Sequence, residues 1–206
     1  MRTEFKPNQY TKDIYTKLSY KFEVGRKLLD VGCGTGIDSV FLRENYGVDV
    51  YSMDIYRHEN VNLFKLNFKK GSILKIPYPD KSFDYVFVHD VLHHIDEEHQ
   101  SYNTHVKALL ELKRVCKEGG TIIIIEGNRY NPLFYPHMVK ILGHNHWRQG
   151  YFKNIIKRVF DNVEFRYFEA HLYPEKLFWL GKIYEHIIEK ISPKMFLSYN
   201  VAIVNL

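Results

Sequence analysis

The sequence predicts an α/β protein with a doubly wound, seven-stranded and mostly parallel β-sheet. Strand-like and helix-like patterns alternate through residue 128, which is typical of parallel β-α-β units. The strand-like runs, most clearly residues 121–125, are apolar at almost every position, as in sheets that helices cover on both faces. A glycine-rich turn follows the first strand, at the edge where open parallel sheets bind ligands.

The first half of the chain supplies four of the predicted strands. It begins with a helix whose apolar face has a four-residue spacing, at Tyr10, Ile14, Leu18 and Phe22. The elements expected after this helix are strand 27–31, helix 37–45, strand 48–53, strand 61–67 and strand 83–88. All of these strands are short, as expected for a compact α/β domain.

The second half continues this pattern and then departs from it. A helix is expected at residues 99–116, with the apolar face Val106, Leu109, Leu110 and Val115. We expect Gly119 and Gly120 to end it. The elements expected later are strand 121–125, an irregular stretch 129–150, helix 151–160, strand 163–172, helix 175–190 and strand 199–206. In residues 177–191 the apolar side chains are expected to face the core rather than a membrane surface.

The composition suits one domain with a sizeable core. The chain has 206 residues, of which 45% are hydrophobic and 16% aromatic. No apolar run reaches the length of a transmembrane helix, and the polar start of the chain does not resemble a secretory signal. The two cysteines, Cys33 and Cys116, are too few for a disulfide framework. We therefore expect a cytoplasmic protein.

The formal charge of +5 is unevenly distributed. Residues 1–128 hold 18 basic and 18 acidic side chains, whereas residues 129–206 hold 11 and 6. Anionic substrates, lipid headgroups or RNA would all favour such a basic excess. A solubilising surface explains it equally well, because no dense block of Lys and Arg is present.

The most informative stretch is residues 28–36, with the sequence Leu-Leu-Asp-Val-Gly-Cys-Gly-Thr-Gly. A buried strand ends here in an alternating glycine turn that opens a helix. Glycine adopts positive φ and has no Cβ, so a ligand can lie directly on the backbone. The following helix presents unpaired N–H groups and the positive end of its dipole. This stretch predicts a ligand-binding turn without identifying the ligand.

Acidic side chains lie at the strand ends where such a ligand would bind. Asp54 follows Gly36 by 18 residues, at the end of the second strand, where a carboxylate can accept both hydroxyl protons of a ribose. Asp30 directly precedes the glycine turn and can bind loop N–H groups or an ammonium group of the ligand. A purely structural cap on the turn is the alternative for Asp30.

Four motifs, in order, resemble those of class I S-adenosylmethionine-dependent methyltransferases, in particular the small-molecule, type 11-like subgroup. They are residues 28–36 with Asp54, residues 76–86 (Ile-Pro-Tyr-Pro-Asp-Lys-Ser-Phe-Asp-Tyr-Val), residues 91–95 (Val-Leu-His-His-Ile) and residues 110–120 (Leu-Glu-Leu-Lys-Arg-Val-Cys-Lys-Glu-Gly-Gly). The resemblance implies a Rossmann-like sheet whose last strand is antiparallel, and S-adenosyl-L-methionine as the cofactor. We expect one methyltransferase domain over residues 1–206, with an N-terminal lid helix in residues 1–24.

The resemblance also implies roles for individual residues at the cofactor. These are Gly32, Cys33, Gly34 and Gly36 under the methionine part, Asp30 supporting its amino group through the loop, Asp54 on the ribose hydroxyls, Ile55 against the adenine, Ser72 and Ile73 at the adenine edge, and His89 at the methionine end. Relatives often carry Asp where this chain has Ser72. Contact with the adenine amino group is therefore expected to be weaker or to come from the main chain.

Nicotinamide dehydrogenases also use a glycine turn after the first strand. Their fingerprint is Gly-x-Gly-x-x-Gly, whereas this chain has glycines at positions 32, 34 and 36. Residues 91–95 and the glycine pair at 119–120 have no counterpart in that fingerprint. A methyltransferase is therefore favoured.

Methyl transfer from a sulfonium requires mainly the alignment of nucleophile, methyl carbon and sulfur. A base is needed only if the nucleophile arrives protonated and its pKa is high. The candidates near the right strand ends are His93, His94 and Glu126. A packing role beside the cofactor is the alternative for the histidines.

Residues 129–150 are expected to form a cap insertion that determines the acceptor. This region is aromatic and basic, and the residues expected to face the acceptor are Tyr130, Phe134, Tyr135, His146 and Trp147. Ordinary packing of the inserted segment is the alternative. His144 and His146 are two residues apart, but no further ligand of matching spacing is evident, so we expect no metal.

We therefore expect transfer of a methyl group, by in-line displacement, to a small acceptor that is apolar or aromatic. One alternative is a tRNA or protein methyltransferase that uses the basic C-terminal region; RNA as a partner is less favoured. RNA binding of that kind would weaken steeply with salt. A second alternative is a non-catalytic protein that binds S-adenosylmethionine.

Overall fold

The fold is a seven-stranded sheet with helices packed on both faces. The computed structural model describes residues 7–206, apart from the side chains of His137 and Glu175. The strands are β1 (Lys27–Val31), β2 (Asp49–Asp54), β3 (Asn67–Lys70), β4 (Phe83–His89), β5 (Cys116–Gly127), β6 (Val163–Phe168) and β7 (Tyr199–Asn205). Their spatial order is β3-β2-β1-β4-β5-β7-β6. Strands β1 to β5 pair in parallel and β7 is antiparallel to β5 and β6, which confirms the predicted fold class.

Alternate residues of the central strands supply two separate cores. The helices of the described chain are α1 (Gln9–Leu18), α2 (Ile37–Tyr46), α3 (Asn60–Leu63), α4 (Tyr102–Val115), α5 (Gln149–Val159) and α6 (Phe178–Ile191). On one face of the sheet, Val86 and Ile124 pack with residues of α4 and α5. On the other face, Phe87 and Ile125 pack with residues of α1 and α2. This arrangement buries both faces of the strands that end at the glycine turn and at Asp54.

The third strand begins later than predicted. Residues 61–67 were expected to form it, but α3 and a turn occupy most of this range and β3 begins at Asn67. Val61 is 1% exposed and Leu63 is 54% exposed, so a single helical turn buries only one of the two apolar side chains. Because β3 is an edge strand that pairs only with β2, it needs no apolar run of its own.

The apolar face and the end of α4 also differ from the prediction. Leu110 is 51% exposed, and Leu112 is buried in its place. The helix ends at Val115 and the next residue is already extended. The glycine pair at 119–120 therefore lies within β5 and does not end the helix. Gly120 suits this position, since a Cβ would come within 2.8 Å of the carbonyl oxygen of Asp84.

The expectation that α6 faces the core is wrong. Within residues 177–191, the large apolar side chains that are between 46% and 73% exposed are Leu177, Trp179, Leu180, Ile183, Ile187 and Ile191. Buried charge attaches the helix instead: Glu185, 1% exposed, lies 2.8 Å from the Lys17 ammonium and 2.6 Å from that of Lys182. Within residues 7–206, no helix combines the length and the apolar character needed to cross a membrane.

Two isoleucines test this difference between α5 and α6. Ile156 on α5 is fully buried, whereas Ile187 on α6 is 46% exposed. We expect Ile156→Ala to lower the free energy of unfolding by about 2–5 kcal/mol, because it removes buried surface and leaves a cavity. Ile187→Ala should change it by about 0.5 kcal/mol or less. Urea unfolding followed by circular dichroism measures both, and losses of equal size would contradict the exposed position of Ile187.

Candidate active site

The glycine turn combines two tightly packed positions with one open position. Gly32 and Gly36 have φ angles of 76° and 79°. A Cβ at either would come within 2.4 Å of a neighbouring side chain, that of Val91 or Leu66 respectively. Gly34 also has a positive φ, 50°, but nothing lies within 4 Å of where its Cβ would be. The open side of the turn is therefore at Gly34.

A cavity of about 630 Å³ opens beside this turn. The predicted cofactor residues on its wall are Gly32, Asp54, Ile55, Ser72 and Ile73. At the end of β2, Asp54 Oδ2 accepts a hydrogen bond from the Gly34 N–H at 2.9 Å, and Oδ1 accepts one from the Tyr56 N–H at 3.0 Å. Each carboxylate oxygen has further lone-pair capacity, so Asp54 can still accept hydrogen bonds from ligand hydroxyls.

A second cavity, of about 750 Å³, shares Asp90 with the first. Its aromatic and apolar wall residues are Tyr10, Ile37, Leu133, Phe134, Met138, Leu172, Tyr173 and Tyr199. Its ionisable members besides Asp90 are Asp38, His89 and His171. Ligands bound in the two cavities would approach each other at Asp90.

Several known proteins are similar to part of this chain. An uncharacterized methyltransferase of Schizosaccharomyces pombe is 33% identical over 126 residues, which cover 53% of this chain and 43% of that protein. Phosphoethanolamine N-methyltransferase 3 of Arabidopsis thaliana is 29% identical over 128 residues, 56% of this chain and 24% of that protein. Demethylmenaquinone methyltransferase of Geobacillus stearothermophilus is 28% identical over 133 residues, 57% of this chain and 51% of that protein. The chain thus spans about half or less of the length of each relative.

The family assignment rests on the part of the fold from β1 to β5. Residues 29–124 match the methyltransferase domain family. Residues 29–124 are therefore an S-adenosylmethionine-dependent methyltransferase domain. A solved structure of such a methyltransferase from Archaeoglobus fulgidus has the same fold, with a TM-score of 0.69 at 21% identity over 95% of this chain and 93% of that chain. S-adenosyl-L-methionine is the cofactor that defines this family, as the four motifs predicted.

We call the first cavity the cofactor cavity, after the five predicted cofactor-binding residues on its wall. The other residues predicted to bind the cofactor do not line this cavity. They are Asp30, Cys33, Gly34, Gly36 and His89. Asp30 is 2% exposed beneath the turn and accepts a hydrogen bond from the Ser39 hydroxyl at 2.5 Å. This position suits support of the loop and not direct contact with a ligand. His89 lines the second cavity instead.

Of the residues predicted to face the acceptor, Phe134 alone lines the second cavity, whereas Tyr130, Tyr135, His146 and Trp147 lie elsewhere. Trp147 is 4% exposed and belongs to the main hydrophobic core. Its indole N–H donates to Gln100 at 3.2 Å. An aromatic side chain in an irregular segment suits a core or a cavity equally well, so the pattern did not reveal its direction.

The predicted N-terminal lid is represented in part. Residues 1–6 lie outside the described residues, and α1 begins at Gln9. From this end of the chain, Asn8, Tyr10 and Thr11 line the second cavity. The Tyr10 hydroxyl forms a hydrogen bond with the hydroxyl of Tyr199, which joins α1 to β7 across the cavity wall.

A partly buried charge pair lies next to Asp90. His89 Nδ1 is 2.9 Å from Asp38 Oδ2, and the Tyr15 hydroxyl donates to the same carboxylate at 2.8 Å. Burial alone would lower the pKa of His89, but the charge and hydrogen bond of Asp38 outweigh it and raise the pKa to about 9. His89 is therefore protonated at neutral pH. Its other ring nitrogen lies 3.7 Å from Asp90 Oδ2.

The three predicted catalytic residues have different environments. Glu126 is fully buried: Oε1 accepts from the N–H groups of residues 91–92 at 3.0 and 2.6 Å, and Oε2 lies 2.6 Å from His93 Nδ1. With both oxygens engaged, Glu126 positions the turn after β4. His93 is 1% exposed, whereas His94 lines the cofactor cavity. A ligand in that cavity would therefore reach His94 and not the other two.

The structure brings His144 and His146 beside His93. The ring centroids of His93 and His146 are 4.3 Å apart, and those of His144 and His146 are 5.8 Å apart. Among the described residues, neither ring nitrogen of the buried His146 has a hydrogen-bond partner. Burial and then the charge of His93 lower the pKa of His146 to about 4, so its ring is neutral. The expectation of no metal rested on the lack of further ligands of matching spacing, and the fold places His93 next to the two histidines.

Sequence reasoning missed most of the second cavity. Tyr10, His171, Tyr173 and Tyr199 come from separate segments, and no motif marks any of them. Asp90 was more accessible to prediction because it directly follows a strand end. It adopts a positive φ of 53°, and its Oδ1 accepts a hydrogen bond from the Gly127 N–H at 2.8 Å. That bond holds Asp90 at the junction of the two cavities.

Proposed function

We propose that this chain transfers the methyl group of S-adenosylmethionine, by in-line displacement, to a small aromatic or apolar acceptor in the second cavity. The observation that carries the proposal is the junction at Asp90, which lines both cavities. A sulfonium methyl in one cavity and an acceptor atom in the other would meet there. Alignment of this kind supplies most of what methyl transfer needs.

The acceptor class is inferred from the wall of the second cavity. Its tyrosines, Phe134 and aliphatic side chains favour a flat, apolar ligand. Among the relatives, the demethylmenaquinone enzyme is named for an acceptor of that class and the phosphoethanolamine enzyme for a polar amine. The few ionisable groups on the wall of this chain suit a ring hydroxyl better than a phosphate, because Asp38 and Asp90 would repel an anion.

Proton removal, where the acceptor needs it, falls to a predicted base that lines one of the two cavities. We assign His94 as the candidate base, because it lines the cofactor cavity. Glu126 and His93 then act as positioning residues for the turn that carries it. The basic region 129–206 supports the alternative of an RNA acceptor.

The test is formation of S-adenosylhomocysteine by purified protein with a panel of acceptors: hydroxylated naphthalenes and quinols, small amines, and tRNA. We expect turnover with the aromatic hydroxyl compounds. Phe134→Ala should raise the KM for the acceptor about tenfold, corresponding to ~1.4 kcal/mol of lost contact. Its affinity for S-adenosylmethionine should not change.

Tyr135→Ala is the matched control, since Tyr135 adjoins Phe134 but does not line the second cavity. It should leave both constants unchanged. Turnover with amines alone would contradict the proposed aromatic or apolar acceptor. Turnover with tRNA that falls steeply with salt would favour the RNA alternative. Cofactor binding without turnover of any acceptor would support a non-catalytic protein.

A further inference from the structure

We propose that His93, His144 and His146 bind a transition metal ion of the Zn²⁺ class beside the second cavity. One ring nitrogen from each residue lies within 4.8 Å of the other two. Zn–N bonds of about 2.1 Å place the ligand atoms of one ion about 3–4 Å apart. Small rotations of the rings would bring the three nitrogens to that spacing.

The environment of His146 is the observation that points to a ligand. This residue is 5% exposed, and among the described residues neither of its ring nitrogens has a hydrogen-bond partner. A buried polar group without a partner destabilises the folded state, and native proteins contain few of them. A metal ion would use the lone pair of a neutral imidazole, which is the form a metal ligand must have.

His93 has the support that metal-binding histidines usually have. Its Nδ1 lies 2.6 Å from the carboxylate of Glu126, which fixes the ring and leaves Nε2 for an ion. The same carboxylate accepts hydrogen bonds from the N–H groups of residues 91–92, so it is itself held in place. The ligand from the turn after β4 is therefore preorganised.

The segment that carries the other two histidines is also fixed. The Asn145 side-chain amide donates to the carbonyl oxygen of Glu97 at 3.0 Å. Trp147 forms a parallel bridge with Asn128, just beyond the end of β5. His144 and His146 are thus held from both sides against the strand end where His93 and Glu126 meet.

The nature of the ligands indicates the kind of ion. Imidazole nitrogens suit Zn²⁺ and its transition-metal neighbours and not Mg²⁺ or Ca²⁺. Three protein ligands leave a fourth position for water or substrate. The cluster borders both cavities: His94, 5.5 Å from His144 between ring centroids, lines the cofactor cavity, and Phe134, 6.0 Å from His146, lines the second. Because none of the three histidines lines either cavity, the fourth ligand would be water.

The test is titration of tag-free, chelator-treated protein with Zn²⁺ in a calorimeter, without cofactor or acceptor. Its outcome is therefore independent of the proposed methyl transfer. We expect one ion per chain. His146→Ala and His144→Ala should each weaken binding by more than about 100-fold, and Glu126→Gln by about 10–100-fold, the effect of losing an outer partner of a ligand.

His186→Ala is the matched control, because His186 is an exposed histidine on α6, outside the cluster. It should bind Zn²⁺ as the unmodified chain does. Substitution with Co²⁺ gives a second readout, a visible absorption band that should disappear in His146→Ala. His144 is only partly buried, so His144→Ala provides a test if His146→Ala does not fold. Equal affinity in the unmodified chain and His144→Ala, or no binding by the unmodified chain, would overturn the proposal.

Discussion

Gly34→Val is expected to weaken S-adenosylmethionine binding by more than about 100-fold, or about 2.7 kcal/mol. Gly34 has a positive φ and nothing lies within 4 Å of where its Cβ would be. Gly34 lies off the wall of the cofactor cavity, but its N–H donates to Asp54, which lines that wall. A valine side chain would fill the open side of the turn beside this contact, where the family resemblance places the methionine part of the cofactor. Isothermal titration calorimetry measures the affinity directly.

The matched control for this change is Gly119→Val. Gly119 also has a positive φ, 73°, and open space around it. It lies near the start of β5, at the end of the parallel strands opposite to the glycine turn. Both valines are strained at positive φ, at a cost of about 1–2 kcal/mol in stability. Affinity should be lost in Gly34→Val alone. Unchanged affinity in Gly34→Val would show that the glycine turn is not part of the cofactor site.

Asp30→Asn is expected to raise the free energy of unfolding at pH 8 by up to about 4 kcal/mol and to change it little at pH 4. Burial, and then the charge of Asp38, raise the pKa of Asp30 from 3.8 to about 7. Between these values the folded protein holds a proton that the unfolded chain releases. The unmodified protein therefore loses stability as the pH rises from about 4 to about 7.

Asparagine has no proton to lose and keeps an oxygen that can accept from Ser39. Thermal unfolding between pH 4 and pH 8 should show a smaller pH dependence in Asp30→Asn than in the unmodified chain. Asp49→Asn, at the exposed start of β2, is the control and should follow the unmodified chain. Parallel pH profiles for Asp30→Asn and the unmodified chain would show that Asp30 is ionised at no cost in the folded protein.

The placement of the glycine turn and Asp54 at one edge of the sheet could be predicted, because it depends on short-range patterns and one rule of topology. The glycine turn needs only the residues of a strand end and a helix start. Asp54 meets this turn because β1 and β2 are parallel neighbours, and parallel strands bring their carboxyl ends to one edge. The hydrogen bond from the Gly34 N–H to Asp54 is the result.

The orientation of α6 and the wall of the second cavity could not be predicted in the same way. The apolar spacing of α6 indicates a helix. Which side of this helix faces solvent depends on the ion pairs that Glu185 forms with Lys17 and Lys182. Trp147 and Phe134 are both aromatic residues of one irregular segment, yet one packs in the core and the other lines the second cavity. Side-chain direction in such segments depends on distant contacts.

The sequence by itself determined the fold class, the methyltransferase domain and the position of the glycine turn, because hydrophobic period, glycine turns and strand-end acids are local properties of the chain. Only the tertiary structure decided the second cavity, the junction at Asp90 and the meeting of His93 with His144 and His146. Those groups are far apart in the sequence and become neighbours only when the strands order themselves in the sheet. Their chemistry therefore follows from topology, while the glycine turn follows from its own residues.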